Sequence, residues 1–363
     1  MPYRDALRPL HLQELHATLG ARLGDFAGWQ MPLWYSGAVA EHTAVRETAG
    51  IFDISHMGRF QVEGEGVEAA LSGVFSRDFS RLHAGQSTYA LACNEGGGIL
   101  DDLMVYRPEG RRFVVICNAA NQPVIGQILA GAVAPENLID LQPETVLLAV
   151  QGPFAIEAVG RLLSQDAVEL PRRGCIELQI ERASYFIART GYTGEDGVEI
   201  MTTVEKGRTL FRRLTEEAGC IPCGLAARDT LRLEASLPLY GLDIDENTTP
   251  WEAGLGWALD LDHDFTGRDA LQRLRGAEAR RLSCIISDGS GILRGHCPIY
   301  AGGELVAATA SGGFSPTLDR SIGMAYLPKE LIDPGTPLEV DVRGRRIPCH
   351  VVKRPFYRRN SRA

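Results

Sequence analysis

The sequence predicts an α+β region followed by a small all-β module. Up to about residue 280, segments with helical spacing of apolar residues alternate with short β-prone runs. Beyond residue 281 the helical patterns stop, and five short β-prone runs are separated by Gly and Pro. The 363 residues suffice for two or three domains at about 150 residues each. We therefore expect an α+β fold that ends in a β-barrel or sandwich.

The N-terminal part, residues 1–50, is predicted to be rich in helix. Its leucines at positions 12, 15, 19 and 23 lie close to helical spacing. Residues 26–34 combine aromatic side chains with Pro32, and we predict a loop there.

An antiparallel meander is predicted next. Its three β-prone runs are separated by a Gly-rich segment at 94–98 and by residues 107–110, and the runs cover residues 88–93, 99–106 and 113–118.

A buried strand is predicted farther along, at 146–150, followed by two amphipathic helices. Pro153 suits the first turn of the first helix, and apolar residues recur at helical spacing over 204–218 in the second. The strands of the C-terminal module are predicted at 282–286, 305–310, 322–327, 338–342 and 347–352.

Composition and charge exclude several functional classes. The net charge of −9 argues against a general nucleic-acid binder, since such binding needs clustered Lys and Arg. Residues 1–15 carry Asp5 and Glu14 and no apolar core, and no apolar run approaches the ~18 residues of a membrane span. The eight cysteines are too dilute for a disulfide scaffold and suit a reducing compartment. We expect a cytoplasmic protein without membrane or nucleic-acid partners.

Familiar catalytic motifs are missing from the sequence. It contains no GxxxxGK[ST] phosphate loop, no strand-associated GxGxxG and no GxSxG elbow. Cys220 and Cys223 have the spacing of half a zinc site but lack a second ligand pair, so we predict two buried thiols and no metal. For His56, a hydrogen-bonded structural role is favoured over that of a base or ligand.

Asp101 and Asp102 are the first candidates for chemistry. On a strand they face opposite sides, and each shares its face with three apolar or aromatic residues. A carboxylate on either face needs a partner or a function, because burying an unpaired ion costs several kcal/mol. Periodicity does not choose between the two residues, and both could instead be solvated beside the Gly-rich turn.

Three other segments could bind a planar, polar or anionic ligand. In 189–200, three glycines allow close backbone approach, with Tyr192 and Glu199 nearby; a tight acidic strand connection is the alternative. In 224–235, Arg228 and Arg232 are neighbours on a helix face and could bind a ligand. The alternative is that they pair with Asp229 or Glu234. Basic residues collect near the C-terminus, and no acidic residue follows Asp341. They could form a surface for an anionic ligand or belong to a frayed end. Their positions are 343, 345, 346, 353, 354, 358, 359 and 362.

These segments together resemble one family, the aminomethyltransferases, or T-proteins, of the glycine cleavage system. The resemblance runs from DFAGWQMP at 25–32 to KRPFY at 353–357, through FDISHMG, GGILDDL, NAAN, AVQGP, RTGYTGEDGVE, GLAARDTLRLEA and YGLDIDE. It implies a three-lobed, cloverleaf-like α+β fold with a C-terminal β-barrel around a tetrahydrofolate site. The folate-binding catalytic region would cover 1–280, with one lobe at about 1–50 plus 140–280 and another at about 51–139, and the barrel domain 281–363.

The resemblance also implies roles for particular residues. Asp102 would be the catalytic carboxylate beside the N5 edge of the pterin, and Glu199 would accept hydrogen bonds from the amino-pyrimidine edge. The folate-binding residues implied are Met57, Tyr89, Asn118, Tyr192, Glu199, Arg228 and, on a shorter motif, Tyr357.

The implied reaction moves a one-carbon unit from an S-aminomethyl dihydrolipoyl arm to tetrahydrofolate, giving 5,10-methylenetetrahydrofolate, ammonia and the reduced arm. The lipoylated H-protein would carry the arm, with functional links to the glycine decarboxylase and dihydrolipoyl dehydrogenase components. Tetrahydrofolate would be a co-substrate, and no metal would be needed.

The sequence departs from the family pattern at Arg172 and Arg173, where aromatic residues are common. Lost aromatic contacts could alter the folate pocket, or the added charge could suit an acidic carrier. Two alternatives stay open: another folate-dependent enzyme of the superfamily, such as a demethylase, and a non-catalytic folate-binding protein of iron-sulfur assembly. No flavin-binding fingerprint supports a fused dehydrogenase, and the Lys-Gly-Cys motif of the iron-sulfur branch is missing from 224–229.

Overall fold

A small sheet and a short helix form the N-terminal part of the computed structural model, which describes residues 7–359. The sheet order is β1–β3–β2, with β1 at Arg8–Pro9, β2 at Arg22–Phe26 and β3 at Trp29–Trp34. Helix α1 covers Gln13–Thr18 and stops before Gly20, whose φ of +77° is a left-handed conformation typical of helix C-termini. The predicted helical pattern therefore does not extend to Leu23, which lies in β2.

The prediction of a loop at 26–34 is wrong. Trp29 and Met31 are buried against Leu10, so β3 forms the central strand over a small core of its own. Pro32 lies opposite Leu23, next to a register shift between the strands, and a strand tolerates proline at such an irregularity.

A six-stranded sheet forms the first large lobe. Its order is β11–β12–β13–β10–β4–β14, and its strands are β4 (Gly50–Asp53), β10 (Thr145–Gln151), β11 (Cys175–Ile180), β12 (Ala183–Ala188), β13 (Gly197–Thr203) and β14 (Ile221–Pro222). Helices α5 (Ala155–Leu162) and α7 (Val204–Glu216) pack on it. The predicted strand and both helices are confirmed, although α5 begins two residues after Pro153.

A five-stranded sheet forms the second lobe, in the order β6–β7–β8–β5–β9. Its strands are β5 (Gly58–Glu63), β6 (Gln86–Cys93), β7 (Ile99–Glu109), β8 (Arg112–Cys117) and β9 (Leu138–Asp140), and its helices are α3 (Val67–Val74) and α4 (Gln122–Ala132). The predicted meander is confirmed as the antiparallel neighbours β6, β7 and β8. One face of β7 contributes Leu103 and Val105 to the core of this lobe.

The C-terminal module is a closed barrel of six strands, which resolves the barrel-or-sandwich alternative. The strands are β15 (Arg280–Ser287), β16 (Pro298–Ala301), β17 (Glu304–Ser315), β18 (Arg320–Pro328), β19 (Pro337–Val342) and β20 (Arg345–Val352). Five were predicted. The sequence analysis missed β16, which has only four residues and begins with proline.

Four further helices connect these sheets: α2 (Ala38–Glu47), α6 (Asp166–Glu169), α8 (Leu225–Glu234) and α9 (Arg268–Leu274). Helix α8 contacts α2, β3 and the barrel strands β17 and β18, and so joins the lobes. The α+β fold with a C-terminal barrel is confirmed, whereas the domain boundaries given above stay a prediction. No helix within residues 7–359 combines the length and apolar character needed to cross a membrane.

Candidate active site

A cavity of about 1640 Å³ opens between the two lobes and the barrel. Each of the eight residues proposed from the resemblance lies on its wall, namely Met57, Tyr89, Asp102, Asn118, Tyr192, Glu199, Arg228 and Tyr357. All eight are half-buried, as expected for groups that rest on the protein on one side and face a ligand on the other. The structure therefore brings them together, and their individual roles stay predictions.

Strand β7 separates the two neighbouring aspartates. Asp102 faces the cavity, whereas Asp101 points into the lobe and is completely buried. The alternative in which both carboxylates are solvated beside the turn is therefore wrong. Strand periodicity did not show which of the two carboxylates faces the cavity. The structure shows that it is Asp102, so only Asp102 of the pair can contact a ligand there.

Two neutral donors hold the Asp102 carboxylate. The Tyr89 hydroxyl donates to its Oδ2 at 3.0 Å and the Asn118 Nδ2 donates to its Oδ1 at 2.8 Å. Burial raises the pKa of the Asp102 carboxyl group, and these two hydrogen bonds oppose the rise. No cation lies within ion-pair distance of Asp102 in the part of the chain that the structure describes, so the carboxylate is oriented without being neutralised.

Trp257 extends this part of the wall and was missed by the sequence analysis. Its ring stacks on Tyr89, with centroids 5.2 Å apart and planes at 27°. It lies in a short 3-10 turn at Gly256–Ala258 and is 52% exposed. No motif in the sequence marked Trp257 as part of a site.

Glu199, on β13, has one oxygen occupied and one available. Its Oε2 accepts hydrogen bonds from the hydroxyls of Tyr106, at 3.2 Å, and Thr190. Among the described residues its Oε1 has no hydrogen-bond donor. An acceptor with a free oxygen on a cavity wall suits the N–H edge of a heterocycle.

Arg228 and Arg232 on α8 have different surroundings. Arg232 pairs with Asp243 at 2.6 Å and with Asp229 at 2.8 Å, so the expected pairing with Asp229 is confirmed for Arg232. Arg228 lies over the Tyr192 ring, 4.7 Å from its centroid, and within residues 7–359 it forms no ion pair. Burial lowers the pKa of Arg228, and its guanidinium is left for a polar ligand.

His56 also lies on the wall, next to Met57. The expectation of a hydrogen-bonded histidine is wrong for its Nδ1, which is buried without a partner in the described chain. Its ring instead packs edge-on against Phe26, with centroids 5.6 Å apart. Burial, together with the charge of Arg228, lowers the pKa of His56 to about 3, so the imidazole is neutral at physiological pH.

Tyr357 closes the cavity from the C-terminal side. Its hydroxyl donates to Glu195 at 2.7 Å, and the Arg46 guanidinium lies 3.9 Å from its ring centroid. The chain near Tyr357 is not frayed, because Arg354 donates to the backbone carbonyls of Ser236 and Ala253. Four of the basic residues line the cavity, namely Lys353, Arg354, Arg358 and Arg359, while Arg362 lies outside the described residues.

Arg172 and Arg173 lie at the cavity mouth, in the turn that leads into β11. Both are exposed, and neither has an ion-pair partner in the described range. The Arg173 carbonyl accepts hydrogen bonds from the Ser87 N–H at 2.8 Å and hydroxyl at 2.9 Å, which ties the turn to β6. Elsewhere, Cys220 and Cys223 are buried free thiols, as predicted.

Comparison with known proteins gives a consistent family. Residues 12–263 match the GCVT N-terminal domain and residues 280–358 match the glycine cleavage T-protein C-terminal barrel domain. An aminomethyltransferase of Synechococcus elongatus is 45% identical over 96% of this chain and 95% of its own length. One of Rubrobacter xylanophilus is 45% identical over 98% and 96%.

A solved structure agrees with the sequence relatives. The crystal structure of glycine cleavage system aminomethyltransferase T from Bartonella henselae superposes with a TM-score of 0.91, at 36% identity, over 97% of this chain and 98% of that one. The chain therefore belongs to the T-protein family of glycine cleavage system aminomethyltransferases.

Proposed function

We propose that the cavity binds tetrahydrofolate and that the protein transfers to it the aminomethyl carbon of a dihydrolipoyl arm carried by H-protein. The observation that supports this most is the wall itself, on which Asp102, Glu199 and Arg228 each present a charged group that forms no ion pair with another side chain of the described residues. Charged groups in this state are available to a ligand.

The pterin would lie between these groups. Glu199 Oε1 would accept from the amino-pyrimidine edge, while Tyr192 and Arg228 would contribute an aromatic face and a cation. Asn118, Met57 and Tyr89 would line the pocket around the N5 edge, beside Asp102. Tyr357 would close it at the C-terminal side.

The transfer breaks two bonds of the reacting carbon, to the amine nitrogen and to the lipoyl sulfur, and forms two, to N5 and N10 of the folate. The protons that leave N5 and N10 balance the ammonia and the thiol that are released. Between bond breaking and bond formation, positive charge develops on the transferred carbon. The ionised Asp102 carboxylate stabilises this charge in a cleft poor in water. Asp102 orients the folate and need not act as a strong base.

Partners and compartment follow from this chemistry. The reduced arm must be reoxidised and charged again, which links the protein to the dihydrolipoyl dehydrogenase and glycine decarboxylase components. The eight free thiols are suited to the reducing cytoplasm.

The test is an assay with aminomethylated lipoyl carrier protein, tetrahydrofolate and the enzyme. We expect methylenetetrahydrofolate and ammonia in equal amounts, formed only when all three are present. Folate binding without turnover on this carrier would refute the proposal and favour another one-carbon donor or a non-catalytic role.

A further inference from the structure

We propose that Asp101 and Asn121 are positioning residues that hold the Asn118 amide with its N–H groups turned toward the Asp102 carboxylate. Neither residue lines the cavity, and neither was given a role by the resemblance. The inference rests on the proposed function, because it explains how the proposed catalytic carboxylate is kept in place.

Asp101 is surrounded by N–H donors. Its Oδ1 accepts from the Nδ2 of Asn118 at 2.7 Å and from the Nδ2 of Asn121 at 2.8 Å, and its Oδ2 accepts from the Asn118 backbone N–H at 3.1 Å. Asp101 is 0% exposed and Asn121 is 7% exposed. The pair is therefore a fixed part of the lobe interior directly behind the cavity wall.

One nitrogen connects this pair to the proposed catalytic residue. The Asn118 Nδ2 that donates to Asp101 also donates to Asp102, to Oδ1 at 2.8 Å and to the backbone carbonyl at 3.0 Å. An asparagine amide can turn over and exchange its nitrogen and oxygen. In the flipped state its oxygen would face two carboxylates, so Asp101 favours the orientation in which Asp102 receives a donor.

The local fold explains why these side chains meet. Strand β8 ends at Cys117 beside β7, and the chain then turns into α4, with the Asn121 N–H donating to the Asn118 carbonyl at 3.0 Å. This turn brings the side chains of Asn118 and Asn121 back to the same carboxylate. The segment 118–121 is therefore hydrogen-bonded to β7 through the Asp101 carboxylate.

Stability alone does not account for Asp101. Its neighbours on the same face of β7, Leu103 and Val105, are buried and apolar, and it has no cation within ion-pair distance in the described range. A buried carboxylate without a cation is costly, and an apolar side chain usually serves a core better. If Asp101 orients the cavity residue Asn118, this role explains why a buried acid occupies the position.

The test is the variant Asn121→Ala, which removes one donor from Asp101 and leaves every cavity residue in place. We expect kcat at saturating substrates to fall about 10-fold, while KM for tetrahydrofolate stays near its wild-type value and the unfolding temperature falls by a few degrees, because a buried carboxylate loses a donor. Gln122→Ala is the matched control, because the adjacent Gln122 amide donates to Asp140 instead and should leave kcat unchanged. An Asn121→Ala enzyme with wild-type kcat would overturn the inference.

A double-variant cycle separates positioning from general loosening of the lobe. If Asn121 acts through Asp102, the loss from Asn121→Ala should shrink to less than about 2-fold in an Asp102→Asn background. A loss of the same size in both backgrounds would overturn the inference. If Asn121→Ala does not fold, the isosteric Asp101→Asn enters the same cycle with the same two outcomes. All values are ratios to wild-type turnover, so failure of the proposed function shows separately, as wild-type enzyme without activity.

Discussion

Two groups of buried carboxylates in this protein have opposite surroundings. Glu234, at the end of α8, meets the Arg46 guanidinium at 2.8 Å and the His42 imidazole at 3.3 Å. Asp101 and Asp102 meet amide and hydroxyl donors and share the Asn118 amide. Burial disfavours the charge at all three, yet the partners of Glu234 lower its pKa to about 2, whereas the pKa values of Asp101 and Asp102 are raised.

The difference shows how partners assign a role to a buried acid. A carboxylate paired with a cation is held in place by it: Glu234 pairs with Arg46. Glu234 also joins α2 and α8 to the barrel through Ser315 and Thr317. A carboxylate held only by neutral donors is not paired with a cation, so its oxygen atoms stay available to a ligand. We therefore expect changes at Glu234 to act on stability and changes at the cavity acids to act on activity.

The largest effect is expected from Asp102→Asn. The substitution keeps the shape of the side chain but removes the negative charge that we propose stabilises the transferred carbon, so kcat should fall by about 100-fold or more. The free energy of unfolding should change little, because no ion pair is lost. Product formation and urea unfolding measured on the same preparation check this, and unchanged turnover would assign Asp102 a purely positional role.

Glu234→Gln should lower the free energy of unfolding and leave turnover unchanged, the opposite of what is expected for Asp102→Asn. The pKa of Glu234 falls from 4.5 to about 2 on folding, which corresponds to about 3–4 kcal/mol of stability at about 1.4 kcal/mol per pKa unit. The folded-state pKa is the lower one, so this stabilisation is complete above the unfolded-state pKa and is lost as pH falls from about 4.5 to about 2.

Urea unfolding at several pH values measures both parts of this prediction. The gap between wild type and Glu234→Gln should be wide at pH 7 and should close in the acid range. Turnover of the folded variant should be retained, because Glu234 does not line the cavity. A variant that is fully stable but inactive would contradict the division between the two groups.

Glu199→Gln extends the comparison to a third carboxylate held by neutral groups. Its partners are the hydroxyls of Tyr106 and Thr190, so it should behave like the cavity acids. Losing a charge-assisted hydrogen bond of about 1.5–3 kcal/mol predicts roughly a 10-fold or greater rise in the Kd for tetrahydrofolate. Calorimetric titration measures it, and a loss of stability with unchanged affinity would place Glu199 in the structural group.

The smallest effect is expected at Arg172 and Arg173, which form no ion pair within residues 7–359. Replacing both with Tyr should raise the KM for an acidic carrier about 3-fold at low salt, with a smaller difference at high salt. The control is Arg182→Tyr, an exposed arginine outside the cavity. Unchanged KM values for both carrier and folate would remove any role of this turn in binding.

Much of the fold was predictable because local signals agreed with tertiary structure. The strands β6 to β8 and five barrel strands combine β-prone residues with Gly or Pro at their ends. The errors arose where tertiary contacts outweighed local signals: burial of Trp29 and Met31 makes a strand of a segment that contains Pro32. A single glycine at position 20 ends a helix whose leucine spacing continues.

The site was predictable only in part. Strand alternation showed that Asp101 and Asp102 face opposite sides, but the cavity side depends on how the whole sheet packs. Contacts such as the stacking of Trp257 on Tyr89 join residues far apart in the chain and leave no local pattern. The resemblance supplied Asp102, but the fixed position of Asn118 between two carboxylates became visible only in three dimensions.

The hydrogen bonds that join Glu234 to the barrel also affect the order in which parts of the protein can fold during synthesis. Domains generally fold from the N-terminus as the chain leaves the ribosome, but Ser315 and Thr317, which donate to this carboxylate, follow it by about eighty residues. The last described part of the cavity wall, from Tyr357 to Arg359, is synthesised later still. A chain released before residue 315 would therefore carry both lobes without the hydrogen bonds to Glu234 and with the cavity open, so ligand binding should be acquired only after Tyr357 has left the ribosome.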